Sequence, residues 1–180
     1  MKMKRLPIII ILTAVTTLTV FTEPSDNQTQ TSPDGKWIVL VKPGHGPKIA
    51  AAAAIDDIAP TELWQRDAQG KHLTLLAQCH NAKNMEDVVA GFHNLQFSTD
   101  GKLVYFSTPA WTTSPAIHVV DTTTRQEHFV IDSVERVAST GDGDRLIVTR
   151  RDADDKGVFH DIFMVTPEGK LVGRLWLKER

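Results

Sequence analysis

The chain has 180 residues, 41% of them hydrophobic and 23% charged, and a formal net charge of −2 at pH 7. This is the length of a single domain, and because the basic residues are scattered, nothing indicates a nucleic-acid-binding surface. The one cysteine, Cys79, excludes an internal disulfide. It is either buried or available for a bridge to another chain, and we expect it to be buried.

The first 22 residues have the pattern of an export signal. A basic start leads into an apolar stretch, residues 7–22, which is shorter than the roughly 20 residues of a membrane-spanning helix. We therefore predict a signal peptide over residues 1–22 and a periplasmic or secreted domain over residues 23–180. No Ala-x-Ala precedes Glu23, so an uncleaved anchor in the inner membrane is one alternative, and a buried N-terminal strand is another.

A turn followed by a strand recurs along the rest of the chain. Residues 32–41 begin Ser-Pro-Asp-Gly-Lys, residues 98–107 begin Ser-Thr-Asp-Gly-Lys, and residues 141–149 carry a degenerate third copy. Proline presets the first turn position, aspartate suits the second, and glycine accepts the positive φ that follows. The residues that we expect to shape these turns are Asp34, Gly35, Asp100, Gly101 and Gly143. The apolar run after the first turn, residues 37–41, predicts a strand buried on both faces.

Each copy is followed by a hairpin and an exit strand. A leading strand is also predicted before the second and third turns, whereas the first has only the polar residues 27–31 in that place. The pattern predicts an all-β fold of three four-stranded antiparallel blades, over about residues 27–78, 92–132 and 133–177. Repeated four-stranded units are typical of an open or partial β-propeller.

Two of these motifs resemble a known repeat. Residues 97–102 and 32–36 look like the F-S-P-D-G-K signature of the TolB-type (WD40-like) β-propeller family, and residues 63–70, Leu-Trp-x-x-Asp-x-x-Gly, look like its third strand. The third copy departs from the signature at residues 141–144. The resemblance implies a secreted or periplasmic interaction scaffold, often within a larger assembly, and no conserved catalytic residue.

The first repeat is longer than a compact blade, and its excess falls in residues 43–60 and 79–91. The alanine run in the first insertion is either a helix or an extended loop, and residues 84–90 predict a helical turn capped by Asn84. Insertions on repeat scaffolds often carry binding. We therefore expect any specific site here or in the polar loop around Trp111. The candidate binding residues are His45, His80, His93 and Trp111.

No catalytic or metal-binding constellation is visible. The sequence has no G-x-S-x-G motif, and the spacing of Cys79, His80 and His93 matches no closed metal site. No cofactor is predicted. We expect an exported, non-enzymatic module that binds a protein or envelope component through its inserted loops or edge strands. The alternative is a hydrolase or small-ligand-binding protein with a site in residues 43–60 and 79–91.

Three blades are fewer than the four to eight of a closed propeller, and an open arc leaves exposed strand edges. Three outcomes are compatible with the sequence. Two copies form a homodimer that completes a six-bladed ring, the arc caps another protein, or the chain forms a curved sheet whose edges are blunted by charge. The sequence does not identify the protein partner.

Overall fold

The computed structural model describes residues 28–49, 58–111, 114–132, 138–139 and 145–179. Three features of the sequence lie outside these residues. They are the predicted signal segment, the alanine run at residues 50–54, and the degenerate third turn with Gly143.

The described residues form three four-stranded antiparallel sheets, and this confirms the predicted fold class. Sheet 1 consists of β1 (Thr29–Thr31), β2 (Trp37–Pro43), β3 (Thr61–Asp67) and β4 (Thr74–Gln78). Sheet 2 consists of β5 (His93–Phe97), β6 (Leu103–Thr108), β7 (Ala116–Asp121) and β8 (Glu127–Asp132). Sheet 3 consists of β9 (Ala138–Ser139), β10 (Leu146–Asp154), β11 (Gly157–Val165) and β12 (Leu171–Glu179).

Sheet 1 has a leading strand although its sequence there is polar. Thr29 pairs with Leu40, and Thr31 pairs with Ile38. A strand in this place satisfies the backbone groups along the edge of β2, and that requirement does not depend on the polarity of the side chains. Because β1 also lies beside β5, the leading strands of sheets 1 and 2 are neighbours, as in the centre of a propeller.

The first two turns have the same hydrogen bonds. The Ser32 hydroxyl donates to Asp34 Oδ1 (2.7 Å) and accepts from the Trp37 amide (2.9 Å). The Lys36 amide also donates to Asp34 Oδ1 (3.1 Å). The second turn repeats this pattern around Asp100, with distances of 2.8, 2.9 and 3.0 Å. Gly35 and Gly101 both have φ of +73°.

The sheets stack face to face in the order 1, 2, 3. One core lies between sheets 1 and 2, and a second lies between sheets 2 and 3. The fully buried members of the first core include Val39, Leu63, Val104, Phe106 and Val120, and those of the second include Tyr105, Ile117, Val119, Leu146 and Val148. Both faces of sheet 2 are therefore covered, whereas sheets 1 and 3 each have one face on which no other described sheet packs.

This stacking corrects the prediction for β2. The apolar run 37–41 was expected to be buried on both faces, but only Val39 and Val41 are buried. Ile38 and Leu40 are half-buried, and Trp37 is 37% exposed. These side chains are less buried because sheet 1 is the first sheet of the described stack, so only one face of β2 packs against another sheet. In sheet 2, β6 stands at the equivalent place and is buried on both faces, as is its neighbour β7.

The turn between β11 and β12 packs against sheet 2. His128 Nε2 lies 3.2 Å from the Pro167 carbonyl oxygen. Gly169, with φ of +76°, lies so close to β8 that a Cβ atom there would be 2.2 Å from the Val130 carbonyl oxygen. In the part of the chain described, no helix has the length and hydropathy needed to cross a membrane.

Candidate functional site

Three long connections lie at one end of the sheets. Because the strands alternate in direction, the described residues of the connections 44–60, 79–92 and 109–115 share an end, which we call the loop end. The opposite, turn end carries the tight turns at residues 32–36 and 98–102. The sequence-predicted insertions and the Trp111 loop are therefore neighbours in the fold.

The two insertions pack against each other. Ile49 and Ile58 form a backbone bridge within the first insertion, and His80 and Val89 form one within the second. A small core joins the two insertions, with Ile49, Val88 and Ala90 buried and Ile58 and Cys79 packed against them. The loop end is thus supported by its own apolar contacts.

The Trp111 loop closes on the insertions. The Thr108 hydroxyl donates to the Val88 carbonyl oxygen (3.4 Å). A Cβ atom on Gly91 would lie 3.4 Å from Ile58 and 3.7 Å from Pro109. Segments from three connections meet at Gly91. The φ of this residue is +57°, a backbone angle that favours glycine.

The predicted helical turn is a single 3-10 turn, Met85–Asp87, and its capping differs from the prediction. Asn84 precedes the turn but makes no side-chain hydrogen bond to the backbone. Its side-chain amide instead donates to Asp87 Oδ2 (3.1 Å). Cys79, expected to be buried, is half-buried, and its sulfur accepts from the Thr61 amide (3.3 Å).

The three candidate histidines make separate local contacts. His45, with 97% of its side chain exposed, lies 3.6 Å from Glu62 Oε1. His80 Nδ1 lies 3.3 Å from the Gln78 carbonyl oxygen, and His93 Nδ1 lies 2.9 Å from the Gly91 carbonyl oxygen. They do not converge on one point. No group of three His, Cys, Asp or Glu residues within the described ranges is placed to hold a metal ion.

Trp111, the fourth candidate, borders a groove between sheets 2 and 3. The groove has a volume of ≈ 520 Å³. Its lining residues are Glu86, Trp111, Ser114, Phe129, Asp132, Arg150 and Arg151. Four separate connections or strands supply these residues, which is why spacing in the sequence did not indicate the site.

Aromatic and charged contacts shape this Trp111 groove. The rings of Trp111 and Phe129 meet edge to face, with centroids 6.3 Å apart. Arg150 Nε donates to Asp132 Oδ2 (3.0 Å) and thereby joins sheet 3 to sheet 2. Two carboxylates and two guanidinium groups line the groove, so its formal charge is balanced. Such a site suits a ligand with both apolar and polar groups.

Behind the groove lies His118, a buried histidine that the sequence analysis did not single out. Its ring stacks on Phe106 (5.5 Å between centroids) and meets Phe129 edge to face (5.8 Å). Its Nδ1 atom is 2.5 Å from Glu127 Oε1, and its Nε2 atom has no partner in the described structure. The sequence did indicate that His118 is buried, because Ile117 and Val119 flank it in a strand.

Comparisons with known proteins support the fold. The β-propeller domain of the Trilobed protease from Pyrococcus furiosus matches with a TM-score of 0.53 and 17% identity, over 84% of this chain and 42% of that one. The acylaminoacyl peptidase of Pyrococcus horikoshii matches with a TM-score of 0.52 and 12% identity, over 83% of this chain and 24% of that one. At these identities the likeness shows a propeller-type fold alone.

TolB from Acinetobacter baumannii is also a structural neighbour, with a TM-score of 0.40 and 11% identity, over 81% of this chain and 42% of that one. The chain spans 24 to 42% of the length of these three proteins. No protein-family model matches the sequence, and the comparison with curated proteins gives no match either.

Proposed function

We propose that the protein is an exported, non-enzymatic interaction module that binds a segment of another protein in the Trp111 groove. The observation that carries the proposal is the groove itself. It lies at the loop end, between sheets held together by a buried core, and it offers half-buried aromatic rings beside charged groups. Binding loops on a rigid scaffold are a common arrangement for recognition.

The chemistry of the groove favours a peptide over a polyanion. Tryptophan and arginine are enriched at the centres of protein interfaces, where the ring supplies contact area and the guanidinium supplies directed hydrogen bonds. Nucleic-acid sites need an excess of positive charge. In this groove Glu86 and Asp132 balance Arg150 and Arg151. A peptide with an apolar side chain for Trp111 and polar groups for the rim fits these features.

A peptide-display selection on the full chain tests this proposal. We expect the selected peptides to lose about 30-fold in affinity on Trp111→Ala, because central aromatic contacts contribute about 2 kcal/mol or more. The matched control is Trp37→Ala, which removes a 37%-exposed tryptophan at the turn end and leaves affinity unchanged. Equal affinity of the Trp111→Ala variant and the wild type would contradict the proposal.

Export is the second part of the proposal and rests on residues 1–22. Cell fractionation of a bacterium that produces the full chain, and of one that produces a variant without residues 2–22, tests it separately. We expect the full chain outside the cytoplasm and the shortened chain inside it. The same distribution for both would remove export from the proposal and leave the groove untouched.

A small-ligand site in the first insertion is the second candidate. It is favoured by a cavity of ≈ 220 Å³ at the base of that insertion. The cavity is lined by Gln28, Val41, Lys42, Pro43, Ala59, Pro60 and Thr61. Panels of ester, peptide and glycoside substrates separate this candidate from the first. Turnover that is lost on changing a His or Asp of the loops would favour it.

A further inference from the structure

The three sheets use the same two faces to stack. Register identifies equivalent residues, because Thr31 pairs with Ile38 in sheet 1, Phe97 with Val104 in sheet 2, and Ser139 with Leu146 in sheet 3. Ile38, Val104 and Leu146 are therefore at one position of the repeat. The residues two places further on are Leu40, Phe106 and Val148.

These positions define a face that packs on the preceding sheet, which we call the rear face. Val104 and Phe106 belong to the core between sheets 1 and 2, and Leu146 and Val148 belong to the core between sheets 2 and 3. In sheet 1 no sheet precedes this face in the described stack. Its members there, Ile38 and Leu40, are only half-buried and belong to neither core.

The intervening positions define the front face, which packs on the following sheet. Val39 and Val41 of sheet 1 pack against sheet 2, and Tyr105 of sheet 2 packs against sheet 3. In sheet 3 the equivalent residues are Ile147 and Thr149. Ile147 is half-buried and belongs to neither core, although isoleucine is among the residues most often fully buried.

Among the described residues, the stack therefore has one unmatched rear face on sheet 1 and one unmatched front face on sheet 3. We infer that these two faces pack against each other between two copies of the chain, continuing the interface that already joins sheets 1, 2 and 3. Half-buried apolar side chains lie on both open faces. They are Ile38 and Leu40 on sheet 1, and Ile147, Ile162 and Met164 on sheet 3.

Two copies are the smallest number that close this arrangement. A contact between the front face of one copy and the rear face of the next adds copies without end unless the rotation between copies closes a ring. A two-fold axis closes the ring with two copies of three sheets each, and the two contacts between the copies are then identical. The ring has six sheets, within the usual range of four to eight. This inference is independent of the Trp111 groove, which lies between sheets 2 and 3 of one copy.

The test uses the full chain in a non-ionic detergent and measures protein mass by light scattering. We expect twice the monomer mass for the wild type and the monomer mass for Leu40→Glu and for Ile147→Lys. Each variant places a charge in both contacts of the ring. Leu73→Glu is the matched control and stays dimeric, because Leu73 is 45% exposed in the turn between β3 and β4.

Mixing the two monomeric variants gives the sharpest result. In a mixed dimer one contact joins the introduced glutamate to the introduced lysine, and the other contact is wild-type on both sides. We therefore expect mixing to restore the dimer. A monomeric wild type, a mass that rises without limit with concentration, or a mixture that stays monomeric would overturn the inference. So would association through the N-terminal segment, which neither variant would reduce.

Discussion

His118 and Glu127 form a partly buried pair between β7 and β8, with 2.5 Å between Nδ1 and Oε1. His118 is fully buried, and 19% of the Glu127 side chain is exposed. A polar ring in this position depends on its partner, since a buried nitrogen without a hydrogen bond costs about 1–3 kcal/mol. The pair also holds the ring against Phe129, which faces Trp111.

We expect Glu127→Leu alone to lower the free energy of unfolding by about 1–3 kcal/mol, because His118 then lacks a partner at both ring nitrogens. Adding His118→Leu should recover part of this loss, since replacing both polar partners by apolar groups is often nearly neutral. Urea unfolding of the two single variants and the double variant measures the coupling. Additive effects of the two substitutions would show that the contact does not stabilise the fold.

The second prediction concerns two glycines with nearly equal backbone angles. Gly169 has φ of +76° and Gly35 has φ of +73°, so alanine meets similar backbone strain of about 1–2 kcal/mol at both. Only at Gly169 does the new Cβ meet the backbone of β8, at 2.2 Å from the Val130 carbonyl oxygen. At Gly35 nothing lies within 4 Å.

Gly169→Ala should therefore destabilise the protein by about 1–3 kcal/mol more than Gly35→Ala, the usual range for forcing atoms into a packed site. Urea midpoints of both variants against the wild type measure the difference. We expect a second effect at Gly169 alone. Amide hydrogen exchange should become faster in β8, because the turn must move away from it. Equal losses of stability would mean that the turn can shift without disturbing sheet 2.

The sequence predicted the turns and the strands of each sheet, but it did not predict which faces of the strands are buried. Ser-Pro-Asp-Gly and its second copy encode local turns, and local turns fix where each pair of strands begins. Which faces of β2 and β6 are buried was not predictable, because the residues that follow Gly35 and those that follow Gly101 are both almost wholly apolar. Only the stacking order makes β6 doubly buried and leaves Leu40 half-buried on an open face.

The candidate site was predictable only in part. Trp111 was identified from its polar, proline-bounded loop, but Arg150 and Asp132 looked like ordinary strand residues. They come together because sheet 3 packs on sheet 2, and that contact joins residues far apart in the chain. The histidines were chosen for their chemistry and their place in the insertions. Each one instead lies beside a single nearby oxygen.

The last prediction concerns the stability of the fold at low pH, and it follows from the carboxylates of the two turns. The hydroxyl of Ser32 and then the amide of Lys36 donate to Asp34, and they lower its pKa from 3.8 to about 2. The Lys102 amide is the largest cause of the lowered pKa of Asp100. A carboxyl whose pKa is lower in the folded state binds protons more readily when the chain is unfolded.

The direction of the pH effect on stability follows from this difference in pKa between the folded and the unfolded chain. These carboxylates stabilise the fold fully at pH values above about 4, the pKa of an unfolded aspartate. The stabilisation is lost as the pH falls through the lowered pKa of each folded carboxyl, so the urea midpoint should drop between about pH 4 and pH 2. Asp34→Asn should reduce that drop, because its side chain no longer titrates. The control is Asp155→Asn, at an exposed hairpin residue. A wild-type midpoint that stays constant over this pH range, or an equal effect of both variants, would contradict the prediction.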